Sequence, residues 1–134
     1  MRKYLLSVVT LLAILLVGCG RNPQMINNYE VFDNICKDAI KYDIRSDEDC
    51  ENGHIQGFMC VGSKTNDEIV NNLKIVSESK KTNIVLIGEE KDCLYILEQL
   101  SKKGFKNLYY FEGGYQGYAQ KKADKFIPET GCGC

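Results

Sequence analysis

The sequence contains little proline, a single histidine and almost no net charge. Proline accounts for 2 of the 134 residues, 44% are hydrophobic and 26% are charged, so the composition gives no sign of disorder or of a fibrous repeat. The formal net charge of −1 provides no electrostatic basis for binding nucleic acid. The length is that of one domain. These absences leave a small globular protein with an unusual N-terminus.

The N-terminal apolar run is too short for an ordinary membrane-spanning helix. It follows Arg2 and Lys3 and extends from Tyr4 to Val17, about 14 residues, whereas a spanning helix needs about 20. A positive start, a short apolar stretch and a small residue before the cleavage point are typical of a secretory signal peptide. We therefore expect residues 1–18 to be a signal peptide. An uncleaved anchor helix is the alternative.

The end of this run, Leu16-Val17-Gly18-Cys19, resembles the bacterial lipobox. In lipoproteins with that motif the cysteine thiol receives a diacylglyceryl group, and cleavage leaves the cysteine at the new N-terminus. The resemblance implies a lipid on Cys19 that holds the protein on the bacterial cell membrane, facing outside the cytoplasm. The next polar residues include proline and glycine, so residues 19–28 are predicted to be a tether.

Apolar patterns typical of strands and helices alternate along the rest of the chain. Strands are predicted at Ile40–Ile44, Phe58–Val61, Ile84–Ile87 and Leu108–Phe111, with helices between them. This order predicts an α/β domain with a mostly parallel sheet, whose ligands bind beyond the carboxyl ends of the strands. The segment Gly88 to Asp92 is predicted to be a loop at such an end, with Asp92 as the N-cap of the next helix.

Three segments carry a family likeness. Asp43-Ile44-Arg45 followed by Gly53-His54-Ile55-Gln56-Gly57 resembles the D-V-R … G-H-I-x-G-A pattern of rhodanese-like domains. Ile84–Leu100 with Gly104-Phe105, and Asn107–Gly114, resemble the family's later blocks. The resemblance covers roughly residues 25–123. It implies a single rhodanese-like domain at residues 29–123, with about five mostly parallel strands and helices on both faces, and a cysteine-containing tail at 124–134.

The sequence departs from that family at the catalytic position. Active members carry a cysteine directly after the central strand, which accepts sulfane sulfur from a donor and passes it to a nucleophile. Here that position is Gly88. The remaining active-loop residues are Glu89, Glu90, Lys91 and Asp92, and an acidic loop repels an anionic donor such as thiosulfate. The likeness therefore predicts the fold without the family's usual chemistry.

Cys93 is the candidate substitute for the missing catalytic cysteine. It is predicted in the first turn of the helix after the loop, where exposed N–H groups and the helix dipole stabilise a thiolate. The alternative is that Cys93 is a small buried residue at the start of the apolar stripe of Ile96, Leu97 and Leu100.

The C-terminal Gly131-Cys132-Gly133-Cys134 segment is predicted to be a mobile, exposed thiol tail. Its cysteines are suited to shuttling disulfides, carrying persulfide, or binding a soft metal together with Cys93 or Cys60. The alternative is a disulfide that joins the tail to the domain. A Cys-x-Cys pair supplies only half of a four-coordinate zinc site, so no metal site and no cofactor are assigned.

The remaining candidate residues are expected to be structural. Export favours disulfides, but the six cysteines after Cys19 allow 15 pairings, among which the sequence does not choose. Burial is expected for Cys50 and Cys60. The family likeness assigns His54 to a structural turn, and Arg45 is expected to pair with Asp49.

Three functions remain open. The first is an envelope-anchored rhodanese-like domain that binds a ligand or handles sulfur or thiols atypically, with a small sulfur species or a thiol protein as partner and no nucleic acid. The second is an enzyme, either a sulfurtransferase or a thiol oxidoreductase, that uses Cys93 with Cys132 and Cys134. The third is a thiol metal-binding lipoprotein.

Overall fold

The computed structural model describes residues 20–132. The predicted signal peptide, the lipidation site Cys19 and the second tail cysteine, Cys134, lie outside these residues. No helix within residues 20–132 is long and apolar enough to cross a membrane. Strands and helices alternate as β1 (Gln24–Ile26), α1 (Tyr29–Cys36), β2 (Ile40–Asp43), α2 (Asp47–Asn52), β3 (Met59–Cys60), α3 (Asn66–Val76), β4 (Ile84–Ile87), α4 (Glu90–Lys102), β5 (Leu108–Phe111) and α5 (Gly114–Lys122), followed by a 3₁₀ turn at Ala123–Lys125.

The strands form one parallel sheet in the order β1-β5-β4-β2-β3. The central strand β4 is buried along its whole length, as its continuous apolar run predicts. Its alternate side chains enter two cores, one with α3 and α4 on the first face and one with α1 and α5 on the second. The predicted α/β fold with five parallel strands and helices on both faces is confirmed.

The edge strand β1 lies inside the segment that was predicted to be a tether. Gln24–Ile26 pairs in parallel with β5, in a register that places Ile26 opposite Phe111. Upstream, the Gly20 N–H donates to the Ser101 carbonyl at 3.1 Å. The prediction of a tether over residues 19–28 is therefore wrong for residues 24–26. Three residues carry too little apolar pattern to identify a strand, and pairing with β5 satisfies the backbone groups of this one.

The C-terminal tail also packs on the domain instead of leaving it after residue 123. The Phe126 ring packs edge-on against Tyr115 and Tyr118. Further along, His54 and Glu129 exchange two backbone hydrogen bonds of 2.9 Å each. The tail predicted over residues 124–134 is therefore docked on the domain as far as Glu129, by an aromatic side chain and a backbone bridge.

Candidate functional site

A cleft opens at the carboxyl ends of β2 and β4, where the parallel-sheet rule predicts a ligand site. Its volume is about 690 Å³. Its walls come from four segments of the chain: Ile44–Ser46 after β2, parts of α2, the start of α4, and the Gly113–Gln116 turn after β5. Gly114 has a left-handed φ of +64°, and a Cβ there would lie 2.9 Å from the Gly88 carbonyl oxygen. The two glycines therefore allow the loops after β4 and β5 to approach closely.

The loop after β4 is shorter than expected. Glu89 is the N-cap residue, and α4 begins at Glu90. The Cys93 N–H donates to the Glu89 carbonyl at 3.0 Å, which closes the first helical turn. The prediction of Asp92 as N-cap is wrong, and its carboxylate instead accepts a 3.0 Å hydrogen bond from the Asn66 amide. Only Gly88 and Glu89 of the predicted active loop therefore precede the helix.

Gly88 has no side chain and no room for one. A Cβ built on it would overlap Cγ1 of Ile44, well inside van der Waals contact. The Ile44 side chain thus occupies the space that a cysteine at this position would need. Such packing of a side chain against a backbone is not visible in sequence spacing.

Cys93 lies close to this position but belongs to the core. Its Sγ is 3.7 Å from the point where a Gly88 Cβ would stand, yet the residue is only 1% exposed and packs in the core formed with α3 and α4. Burial raises the pKa of the thiol to about 12, and the nearby negative charges of Asp92, Asp43 and Glu90 act in the same direction. The buried alternative describes Cys93 better than the nucleophile does.

The charges around the cleft favour cations. Arg45 does not pair with Asp49 as predicted, but with the buried Asp43, at 2.7 Å between Nη2 and Oδ2. Its guanidinium also donates to the Gly53 carbonyl at 2.6 Å and lies 3.9 Å from the centre of the Tyr115 ring. Asp43 thus compensates this positive charge. The other charged lining residues are Asp49, Glu89 and Asp92, all acidic.

Cys50 and Cys60 form a disulfide that the sequence did not identify. The Cα atoms are 5.8 Å apart, which is ordinary for a disulfide. Cys50 is fully buried as expected, but Cys60 at the end of β3 is partly exposed. Their shared position on either side of the Gly-His-Ile segment was the available signal. That signal alone could not choose one pairing among 15.

His54 is fully buried between this disulfide and the tail. Its Nδ1 is 2.8 Å from the Cys50 carbonyl oxygen and 3.9 Å from Cys60 Sγ. Within residues 20–132, Nε2 has no hydrogen-bond partner, and the nearest carboxylate oxygen, Glu129 Oε2, is 3.9 Å away. Candidate ligand atoms of Cys50, His54 and Cys60 lie within 4.8 Å of one another. With the two sulfurs bonded to each other, the cluster lacks the thiolates that a metal would need.

The thiol tail reaches this second region and not the cleft. The Gly131 N–H donates to the Glu51 carbonyl at 2.9 Å, and the Gly131 carbonyl oxygen lies 4.0 Å from Cys60 Sγ. Cys132 follows at the exposed surface. The structure therefore does not bring Cys93 and Cys132 into one site, because they belong to different parts of the fold.

Comparison with protein families gives one match over most of the chain. The profile of the "Rhodanese-like domain" family matches residues 30–121. These residues run from the start of α1 to the end of α5, so they include the cleft and the disulfide.

Curated relatives share this region but are much longer. A protein named tRNA uridine(34) hydroxylase from Yersinia pestis is 29% identical over 118 residues, which are 80% of this chain and 32% of the relative. The protein of that name from Photorhabdus laumondii is 31% identical over 97 residues, or 68% of this chain and 26% of the relative. This chain thus spans about a third or less of their length.

Solved structures agree on the fold. The Alr3790 protein from Anabaena superposes with a TM-score of 0.60 at 19% identity, covering 77% of this chain and 81% of that one. The Rhodanese_3 like domain of the same protein gives a TM-score of 0.54 at 20% identity, with coverages of 69% and 93%. At such identities the likeness concerns the fold alone.

Proposed function

The chain belongs to the rhodanese-like domain family, and on that premise we propose that its cleft binds a ligand without transferring sulfur. The observation that carries the proposal is the packing at Gly88. In that family a cysteine at this position carries the sulfur, whereas here the Ile44 side chain fills the space. The cleft remains open as a binding site.

The neighbouring thiol does not replace the missing one. A nucleophilic cysteine must be a thiolate, and it must reach its substrate. Cys93 is 1% exposed, and burial raises its pKa to about 12, so at neutral pH the thiol stays protonated inside the core. These two properties argue against the enzyme alternative that uses Cys93.

The charge of the cleft suggests the class of ligand. Asp49, Glu89 and Asp92 line it, while the charge of Arg45 is balanced by Asp43. Such a surface attracts amines and guanidinium groups and repels thiosulfate-like anions. We propose a cationic group as the ligand, either on a small polyamine or on a basic segment of a partner protein. The tRNA hydroxylase activity of the longer relatives is not carried over, since a chain of net charge −1 offers no electrostatic basis for RNA binding.

We further propose that a lipid on Cys19 holds the domain at the outer face of a bacterial cell membrane. The support comes from Arg2 and Lys3, the short apolar run after them and the Leu16–Cys19 motif. Metabolic labelling with a palmitate analogue tests this proposal. Label and membrane association should both disappear in Cys19→Ser, and a Cys19→Ser protein that keeps its label would contradict the assignment.

A sulfur-transfer assay tests the central proposal. The purified protein is incubated with thiosulfate and cyanide, thiocyanate is measured, and mass spectrometry searches for a persulfide. We expect neither product in the wild type. Turnover that is lost in Cys93→Ser but kept in Cys132→Ser would overturn the proposal and make Cys93 the nucleophile.

Binding of a cation provides the positive test. Spermidine is titrated into the protein by calorimetry at low salt, where such electrostatic contacts are strongest. Glu89→Gln should weaken binding several-fold, whereas Glu98→Gln removes the same charge from an exposed position on α4 outside the cleft lining and should leave binding unchanged. Equal effects of the two variants would contradict a specific cation site in the cleft.

A further inference from the structure

We propose that the Cys50–Cys60 disulfide is a thiol-exchange site, at which an external thiol, either a small molecule or a protein, is oxidised by attack on Cys60 Sγ. The site is separate from the cleft and uses none of its residues, so the inference does not rest on the cation-binding proposal. Four features of the described structure support it: unequal access to the two sulfurs, a buried imidazole, its unpaired nitrogen, and the docked tail.

Unequal access determines the direction of attack. Cys50 is fully buried within α2, whereas Cys60 is partly exposed at the end of β3. A thiolate attacks one sulfur of a disulfide, and the other sulfur leaves. Of the two residues only Cys60 has solvent exposure, so we take its Sγ as the sulfur that is attacked and Cys50 as the leaving group.

The exchange balances in two steps. In the first, an external thiolate attacks Cys60 Sγ, a mixed disulfide forms on Cys60, and Cys50 leaves as a thiolate that takes up a proton. In the second, another external thiolate attacks the sulfur of the bound thiol, and Cys60 leaves as a thiolate. Two thiols are thereby oxidised to one disulfide, and the protein disulfide is reduced to two thiols. The reverse reaction, with a disulfide as oxidant, restores the starting state.

His54 provides a donor beside the reacting sulfur. Its Nδ1 is 2.8 Å from the Cys50 carbonyl oxygen, which can only accept, so Nδ1 carries the proton. The same Nδ1 lies 3.9 Å from Cys60 Sγ. Because its hydrogen is donated to the Cys50 carbonyl, this N–H acts on Cys60 through its partial positive charge and not through a second hydrogen bond. That charge favours the negative charge that develops on Cys60 when it leaves in the second step. His54 is thus a positioning residue for the Cys60 thiolate.

The second ring nitrogen of His54 has no structural explanation. Nε2 is buried and has no hydrogen-bond partner in the described part of the chain. Leaving such an atom unpaired is unfavourable, and proteins usually avoid it. Glu129 Oε2, 3.9 Å away, is the carboxylate oxygen that faces this nitrogen.

The tail brings further sulfur to the same place. The Gly131 carbonyl oxygen is 4.0 Å from Cys60 Sγ, and the Gly131 N–H is bonded to the Glu51 carbonyl. Cys132 is the next residue, and consecutive Cα atoms are about 3.8 Å apart. In the docked tail, Cys132 is therefore the direct neighbour in sequence of the residue that contacts Cys60 Sγ.

A matched pair of variants tests the direction of attack. Cys50→Ser and Cys60→Ser each break the same disulfide and leave one sulfur. Both are incubated with oxidised glutathione, and the mixed disulfide is measured by mass spectrometry, with circular dichroism as the check of folding. We expect glutathione to react with Cys60 in Cys50→Ser at least ten times faster than with Cys50 in Cys60→Ser. Equal rates, or no adduct on Cys60, would overturn the proposal.

The wild-type protein gives an independent measurement, which does not depend on how the variants fold. It is equilibrated in glutathione buffers of different ratios, and the reduced fraction of Cys50 and Cys60 is counted by thiol labelling. The disulfide of an exchange site should pass from oxidised to reduced within the range of reduction potentials that these glutathione buffers set. A disulfide that stays fully oxidised in excess reduced glutathione is a structural one, and that result would contradict the inference.

The role of His54 has its own readout. Alkylation of Cys60 by iodoacetamide is followed against pH in Cys50→Ser, with and without His54→Leu. We expect His54→Leu to move the midpoint of alkylation to higher pH, because the N–H group beside Cys60 Sγ is lost and leucine offers no donor. A purely structural histidine would lower stability and leave that midpoint unchanged. Glu98→Gln serves as the control, since it changes an exposed residue of α4 and should change none of these rates.

Discussion

The molecule contains sulfur in two contrasting regions at the carboxyl side of its sheet. Cys93 stands next to the position where the family carries its nucleophile, but it is 1% exposed and packed in the core formed with α3 and α4. Cys60 stands away from that position, yet it is partly exposed and lies 3.9 Å from an imidazole nitrogen. The expected reactivity of each cysteine follows its solvent access and its neighbouring N–H groups. It does not follow the distance from the position of the family's nucleophile.

The largest expected difference between the two regions is chemical. At pH 8 a thiol with a pKa of about 12 is almost entirely protonated. Cys93 should therefore react with iodoacetamide about three orders of magnitude more slowly than an unperturbed thiol of pKa about 8.5. Peptide mapping after timed labelling measures this ratio. The denatured protein is the control, in which Cys93 should react at an ordinary rate. Rapid labelling of Cys93 in the folded protein would contradict the predicted difference between the two regions.

The second difference concerns stability. The disulfide closes a short loop between residues separated by 10 positions, so its loss should lower the free energy of unfolding by about 3 kcal/mol. Urea unfolding of Cys50→Ser/Cys60→Ser measures this, and reduced wild type should match it. Cys93→Ala removes one sulfur atom from the core and should lower stability by about 1 kcal/mol. A larger loss of unfolding free energy for Cys93→Ala than for Cys50→Ser/Cys60→Ser would contradict this prediction.

The third prediction concerns the restoration of a cysteine at position 88, where active family members carry their nucleophile. Gly88→Cys should lower the free energy of unfolding by about 1–3 kcal/mol, because its Cβ overlaps Ile44. Ile44→Ala should relieve that strain in the double variant. Gly88→Ala is the matched control, since it adds the same Cβ without sulfur. If Gly88→Cys and Gly88→Ala are both as stable as the wild type, Ile44 does not block this position.

The smallest expected effect is a decline of stability at alkaline pH. Burial raises the thiol pKa of Cys93, and likewise of Cys36, from 9.0 to about 12. Above pH 9 the unfolded chain therefore releases protons that the folded chain retains, and the free energy of unfolding falls as the pH approaches 12. Chemical denaturation between pH 8 and 10 measures the slope. Cys93→Ala should reduce it, and an unchanged slope would contradict the buried neutral thiol.

The order of strands and helices was predictable because apolar side chains repeat over short distances. The buried run of β4 and the stripe of Ile69, Val70 and Leu73 on α3 each carry a local period that burial enforces. The start of α4 was harder to predict, because Asp92 is a good N-cap by residue type. The chain nevertheless closes its first turn on the Glu89 carbonyl. Residue preference favours Asp over Glu at an N-cap, so here it indicates the wrong residue, and Glu89 caps the helix without a side-chain hydrogen bond.

What escaped prediction depends on contacts between distant residues. The strand Gln24–Ile26 exists because β5 offers it a partner, and nothing within its three residues indicates this. The docking of Glu129 against His54 is likewise long-range. Cys50 and Cys60 are only 10 positions apart, and their pairing escaped prediction because six cysteines allow 15 pairings. At the cleft, the absence of a cysteine at Gly88 was readable directly, but the Ile44 side chain that fills the space was not.

The contact of Gly20 with the end of α4 has a consequence for how the domain is oriented on a membrane. A Cβ on Gly20 would overlap the carbonyl oxygens of Ser101 and Phe105, so this residue is seated on the domain beside the turn that leads into β5. Under the proposed anchoring, Cys19 is its immediate neighbour, and no slack chain separates the lipid from the fold. The domain would then rest on the bilayer by the end at which β5 begins. Its cleft, at the opposite end of the strands, would face away from the lipid, toward whatever diffuses past the cell surface.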